Sequence, residues 1–131
     1  MKKALASREG WAGEVTAAGL LIRPDSIFVA LPSQRALWHC VRVRINGLSI
    51  VAVVLDVGPW FPFGEYFADD DYVFSTARPR AEAMRGQVRN GDVSELKING
   101  AGIDLSDGLL RHFRIEPSKW GLREVEWEFV E

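Results

Sequence analysis

Asp56 ends an unbroken apolar run, IVAVVL at 50–55, and Val57, a Gly58-Pro59 turn and the aromatics Trp60 and Phe61 follow directly. A carboxyl group carried by an apolar strand into an aromatic corner suits general acid–base chemistry. Burial disfavours its charged form, so the proton is held closer to neutral pH. The same residue type ahead of Gly-Pro also suits an Asx-type turn, with the side chain accepting backbone N–H groups. Asp104, within GIDLS at 102–106, is the other acidic candidate. It lies just before Ser106, a candidate helix N-cap, where carboxylates also satisfy free N–H groups.

Other chemistries lack the residues they need. His39 and His112 are the only histidines and Cys40 the only cysteine, and no HxxH, CxxC or HExxH spacing occurs. Neither a metal nor an organic cofactor is expected. Cys40 itself, inside an apolar strand, reads as a small core residue. The glycines of NGAGID do not open a long helix, so no phosphate loop is expected, and no Gly-x-Ser-x-Gly elbow exists. A formal net charge of −2 disfavours nucleic acid or an anionic membrane as partner. No run approaches the roughly 20 apolar residues of a membrane span. MKKALASREGW has the lysines of a signal peptide but not its apolar stretch, so no export signal is expected.

Elements must hold the two carboxyls in place. CVRVRI at 40–45 alternates apolar residues with arginine, the period of a half-solvated strand. Asn46-Gly47 follows, a strong hairpin signal. The return strand, 48–55, is apolar almost throughout, so both of its faces should be covered. AGEVTAAG and SIFVAL, divided by Arg23-Pro24-Asp25, read as two short β pieces within 12–30. Residues 61–100 read as a long inserted loop with a short helix near Arg80 to Arg85. Loops of that length in a compact domain usually carry function. Ser106-Asp107 opens a helix whose apolar side is Leu109, Leu110 and Phe113, with Pro117 just beyond its end. Val125, Trp127 and Phe129 alternate with glutamates in a terminal strand. Trp38, Trp120 and Trp127 read as core or core-edge. The length of 131 residues fits one domain, 1–131, with 1–11 as a flexible N-terminal segment.

LDVGPW at 55–60 followed by GIDLS at 102–106 resembles the paired signature of double-psi β-barrels of the rare lipoprotein A type. There an Asp-x-Gly-Pro-aromatic turn precedes a Gly-x-Ile-Asp-Leu-Ser segment and a short helix. YVFSTARPRAE at 72–82, then NGAGIDLS and VEWEF, is similar to a bacterial and phage-associated subgroup with a long loop between the signatures. The resemblance covers roughly residues 27–131. It implies a mainly β fold: a six-stranded double-psi β-barrel with one short helix at about 106–113 and a long inserted loop at about 61–100.

The resemblance also implies peptidoglycan or a related polysaccharide as partner, and lytic transglycosylase-like cleavage at the cell envelope or outside the cell. Asp56 takes the part of the single general acid/base, with Asp104 across the groove. Ser33, Trp60, Tyr66, Tyr72 and Arg78 are the implied substrate-binding residues. The sequence departs from the pattern at Val57, where the family usually has arginine. In ALPSQRALW at 30–38, where the family tends to carry a histidine or a serine, it offers Ser33 and no histidine, His39 lying further on. These departures keep open a different reading: a non-catalytic carbohydrate-binding or structural barrel in a phage or secretion-linked assembly, held by a protein partner.

Overall fold

The Asn46-Gly47 hairpin is the simplest part of the architecture to derive. Both residues have positive φ, 50° and 80°, the backbone that a tight hairpin turn demands. They join β3 (Cys40–Ile45) to β4 (Leu48–Val57), paired antiparallel from Ile45↔Leu48 to Cys40↔Val53. These coordinates are a computed structural model that describes residues 1–59, 68–87 and 98–130. The remaining strands are β1 (Lys2–Glu9), β2 (Phe28–Leu31), β5 (Ile103–Ser106) and β6 (Arg123–Phe129). Three short helices accompany them: α1 (Asp70–Phe74), α2 (Arg80–Ala83) and α3 (Asp107–His112).

The six strands close into a barrel in the order β1-β5-β2-β4-β3-β6. β1 with β5 and β2 with β4 are parallel, and the other pairs are antiparallel. Exchanging β1 with β4, β5 with β2 and β6 with β3 leaves this pattern unchanged, the interlocked double-psi arrangement. Alternate residues fill the interior: Ala4 and Ala6, Val29 and Leu31, Val41 and Val43, Ala52 and Val54, Ile103 and Leu105, Val125 and Trp127. The neighbours in between face outward, as the period of two requires.

Three expectations are corrected here. The N-terminal residues are not a flexible segment, because Lys2–Glu9 is a barrel strand paired on both sides, to β5 and to β6. Residues 12–19, expected as a β piece, instead belong to a loop closed on itself by a bridge between Val15 and Leu21. Trp38 is 60% exposed and Cys40 is exposed as well, so neither is core. The Cys40 position belongs to the outward set of β3, since Val41, Val43 and Ile45 are the buried ones.

Helix α3 begins where the sequence says it should. The Ser106 hydroxyl accepts from Leu109 N at 3.2 Å and from Phe28 N at 2.9 Å, and it donates to Ser26 O at 2.8 Å. One side chain therefore caps the helix and ties it to β2 and to the turn before it. Gly108 makes this packing possible, since a Cβ there would lie 2.3 Å from Ser26 O.

Candidate functional site

The outward-facing residues near the ends of β1, β4 and β5 meet in one groove. Strand pairing sets Ser7 opposite Asp104, Asp104 opposite Ala30, and Ala30 opposite Asp56. Partners across a ladder point to the same side of the sheet, so both aspartates share one face with only the small Ala30 between them. Glu9 continues the same face of β1. Together they line a groove of about 580 Å³ with Ser7, Trp11 and Asn99.

The loop from Trp11 to Ile22 forms a wall of this groove. Its backbone bonds are local: Gly13 N to Ile22 O at 2.9 Å, Ile22 N to Glu14 O at 2.8 Å and Thr16 N to Leu20 O at 2.8 Å. Two further bonds fasten it to β4, Ala18 N to Leu55 O at 3.1 Å and Ala17 N to Asp56 Oδ1 at 2.9 Å. Beneath it Ile22, Phe28 and Leu55 form a small apolar cluster of their own. Asp56 Oδ1 also accepts from its neighbour Val57 N at 2.9 Å. Asp56 therefore does not form the Asx-type turn expected ahead of Gly58-Pro59; its side chain holds a separate loop at Ala17 and does so on the groove floor.

All three carboxyls are nearly removed from water, with Glu9 2%, Asp104 6% and Asp56 8% exposed. Among the described lining residues Arg8 is the only cation, and its guanidinium is engaged by Asp107 at 2.7 and 3.0 Å. Burial pushes the Asp104 carboxyl up to about 7; the hydroxyl of Ser7, hydrogen-bonded to its Oδ1, opposes this, and the charge on Asp56 adds to it. Burial also pushes Glu9 up to about 10, helped by a hydrogen bond with Asp56 and then by the charges of Asp104 and Asp56. No donor reaches Glu9 Oε2. A buried carboxylate oxygen without a donor is costly, which favours the protonated form of Glu9. At neutral pH the groove therefore holds carboxylic acids able to donate protons beside an acceptor.

The expected site residues divide sharply. Asp56 and Asp104 come together. Trp60 and Tyr66 lie outside the described residues. Tyr72 does not line the carboxyl groove but borders the other groove, beside Arg78; it is 1% exposed, and its hydroxyl accepts from Trp127 Nε1 at 2.7 Å in the barrel core. Ser33 is also buried and away from this lining; it caps a 3₁₀ turn at Gln34–Ala36 and donates to Asp70. Arg78 lines a different groove, of about 770 Å³, with Lys2, Lys3 and Arg85, and it pairs with Glu82 at 3.0 Å. Among the described residues no group of three or more His, Cys, Asp or Glu is placed to hold a metal ion. No described helix is long and apolar enough to cross a membrane.

Ser7, Glu9 and Trp11 are site residues that the sequence reading passed over. Their signal was present but faint: in KKALASREGW the inward positions are alanines, and the outward set carries lysine, serine and glutamate.

Comparison with known proteins places the chain in a family. Residues 1–123 match a family described as a domain of unknown function, DUF8814, and the chain belongs to it. No curated protein matches in sequence. Among solved structures, the Streptomyces papain inhibitor is similar at a TM-score of 0.53 and 19% identity, over 99% of this chain and 96% of that one. That likeness is one of fold.

Proposed function

We propose that this DUF8814 member cleaves the glycan strand of peptidoglycan in the manner of a lytic transglycosylase, with Asp104 as general acid and then base. The observation that carries this reading is the convergence of Asp56, Asp104 and Glu9 on one groove, with the Asp104 proton held to about 7. A general acid works best when its pKa lies near the operating pH. The motif order LDVGPW to GIDLS supports the substrate class.

In this mechanism the Asp104 carboxyl gives its proton to the glycosidic oxygen as the bond to the anomeric carbon breaks. The sugar's own 6-hydroxyl then attacks that carbon and returns its proton to Asp104. Proton and charge balance without water, which is why one carboxyl suffices where a glycosidase pair needs two. We assign the acid to Asp104 rather than to Asp56 because Asp56 Oδ1 already accepts from Ala17 N and Val57 N. Asp56 instead faces the positive charge that develops on the sugar ring, an electrostatic part in a groove shielded from water. The site of action is then the cell envelope.

The test is digestion of purified sacculi followed by mass spectrometry of the soluble fragments. Anhydro-ended fragments from the wild type and none from Asp104→Asn are expected. Hydrated reducing ends would assign hydrolysis instead. Binding to sacculi with no released fragment would assign the non-catalytic barrel.

A further inference from the structure

We propose that Trp11 and Val15, on the loop that walls the carboxyl groove, form a stacking subsite for a pyranose ring of the glycan. This rests on the reading of the groove as a glycan site and names the residues that grip the sugar. Among the described residues, nine large apolar side chains are exposed, and four of them, Trp11, Val15, Leu20 and Leu21, lie within this single loop. Trp11 is 64% and Val15 62% exposed, and both line the same groove as Glu9, Asp56 and Asp104.

The exposure is not that of a loose end. Backbone bonds close the loop at Gly13–Ile22 and Thr16–Leu20, and the Asp56 carboxylate holds it at Ala17. Ala18 and Ile22 from the same loop pack down onto Phe28 and Leu55. Trp11 and Val15 are thus left facing solvent by a wall whose other side is anchored. An exposed indole on an anchored loop, lining the same groove as the buried acids, is a ready contact for something flat and amphipathic.

A pyranose ring has that form. Its axial C–H face packs against an indole, and its equatorial hydroxyls point to the side, where carboxyl donors and acceptors wait. A pyranose presents both chemistries from one ring, C–H groups to the indole and hydroxyls to the carboxyls, so a sugar is the occupant the composition of the wall and floor favours. Glu9, pushed up to about 10 by burial, keeps its proton at neutral pH and adds no charge against a sugar.

The experiment uses calorimetric titration of soluble glycan strands released from peptidoglycan into Asp104→Asn protein, which binds without turnover. Adding Trp11→Ala to that protein is expected to weaken binding at least about tenfold, with the unfolding midpoint unchanged. Trp11→Phe, which keeps a flat face, restores most of the affinity. Affinity for the Trp11→Ala protein within about twofold of its parent would overturn the proposal, as would a parent that does not bind glycan at all. The two readings fail separately. Glycan binding that depends on Trp11, in a protein that releases no fragments, sinks the cleavage mechanism and keeps the subsite. Cleavage by Trp11→Ala with an unchanged KM does the reverse.

Discussion

Replacing Asp104 by asparagine separates what the carboxyl does for chemistry from what it does to the fold. Asp104 holds its proton up to about 7, whereas an unfolded chain releases it near 3.8. Between those values the native state keeps a proton that the unfolded state has lost, so stability falls as pH rises, and the loss is complete above about pH 7. At about 1.4 kcal/mol for each pH unit, the interval amounts to about 4 kcal/mol. Asparagine has nothing to ionise, and its side-chain oxygen still accepts from the Ser7 hydroxyl that now serves Asp104. Glu9 contributes with the same sign but remains in both proteins, so its share largely cancels in the comparison. The expected outcome in urea unfolding is near equality at about pH 4 and a variant more stable by a few kcal/mol at about pH 8. Cleavage of sacculi should meanwhile fall by about 10²–10⁴, the usual worth of a general acid. A stability difference that does not grow with pH, or a variant less stable at pH 8, would refute the claim that burial holds this proton.

Other substitutions test the remaining assignments. Asp56→Ala strips the acceptor from Ala17 N and Val57 N; it should lower stability by about 1–3 kcal/mol and speed chymotryptic cleavage at Leu20 and Leu21, in the loop that Asp56 holds. Asp56→Asn retains an acceptor oxygen and should protect those sites; equal protease sensitivity of wild type and Asp56→Ala would refute the anchoring. Tyr72→Phe leaves the indole N–H of the fully buried Trp127 without its acceptor, a loss of about 1–3 kcal/mol in unfolding with glycan affinity unchanged. Lost affinity in a folded Tyr72→Phe protein would return Tyr72 to the binding site. Gly108→Ala puts a Cβ 2.3 Å from Ser26 O, which should destabilise by about 1–3 kcal/mol as α3 is forced off β2. Gly121→Ala, which meets nothing within 4 Å, is its control.

How much of this was legible beforehand follows from how local each signal is. The β3–β4 hairpin and the cap of α3 are set by neighbours a few residues apart, Asn46-Gly47 in one case and Ser106 with Leu109 in the other. The alternation in β6 could be read because its inward residues, Val125 and Trp127, are large. β1 could not be read in the same way. Its inward residues are Ala4 and Ala6, too small to mark a buried face, and both partners that make it a strand arrive about a hundred residues later. Glu9 was hidden with it, although Glu9 is the most deeply buried acid of the groove. The aromatic residues misled for a related reason. Nothing in sequence separates an indole that fills a barrel, as Trp127 does, from one left outside a turn, as Trp38 and Trp11 are.

The position of Asp56 has a cause that only the pairing reveals. By simple alternation it would follow Ala52 and Val54 into the barrel interior, where a carboxyl would be sealed among aliphatic side chains. The register between β2 and β4 slips at this point: Val29 faces Val54, but Ala30 faces Asp56, so Leu55 is the extra residue of a bulge. A slip of one residue moves a side chain to the opposite face of a sheet. Asp56 is thereby brought to the outer side beside Asp104, and Leu55 joins the apolar cluster that seats the Trp11–Ile22 loop. The bulge thus does two things at once: it supplies the groove with its acceptor and fastens the wall opposite. An apolar strand can end in a carboxyl here because the ladder changes step one residue before it.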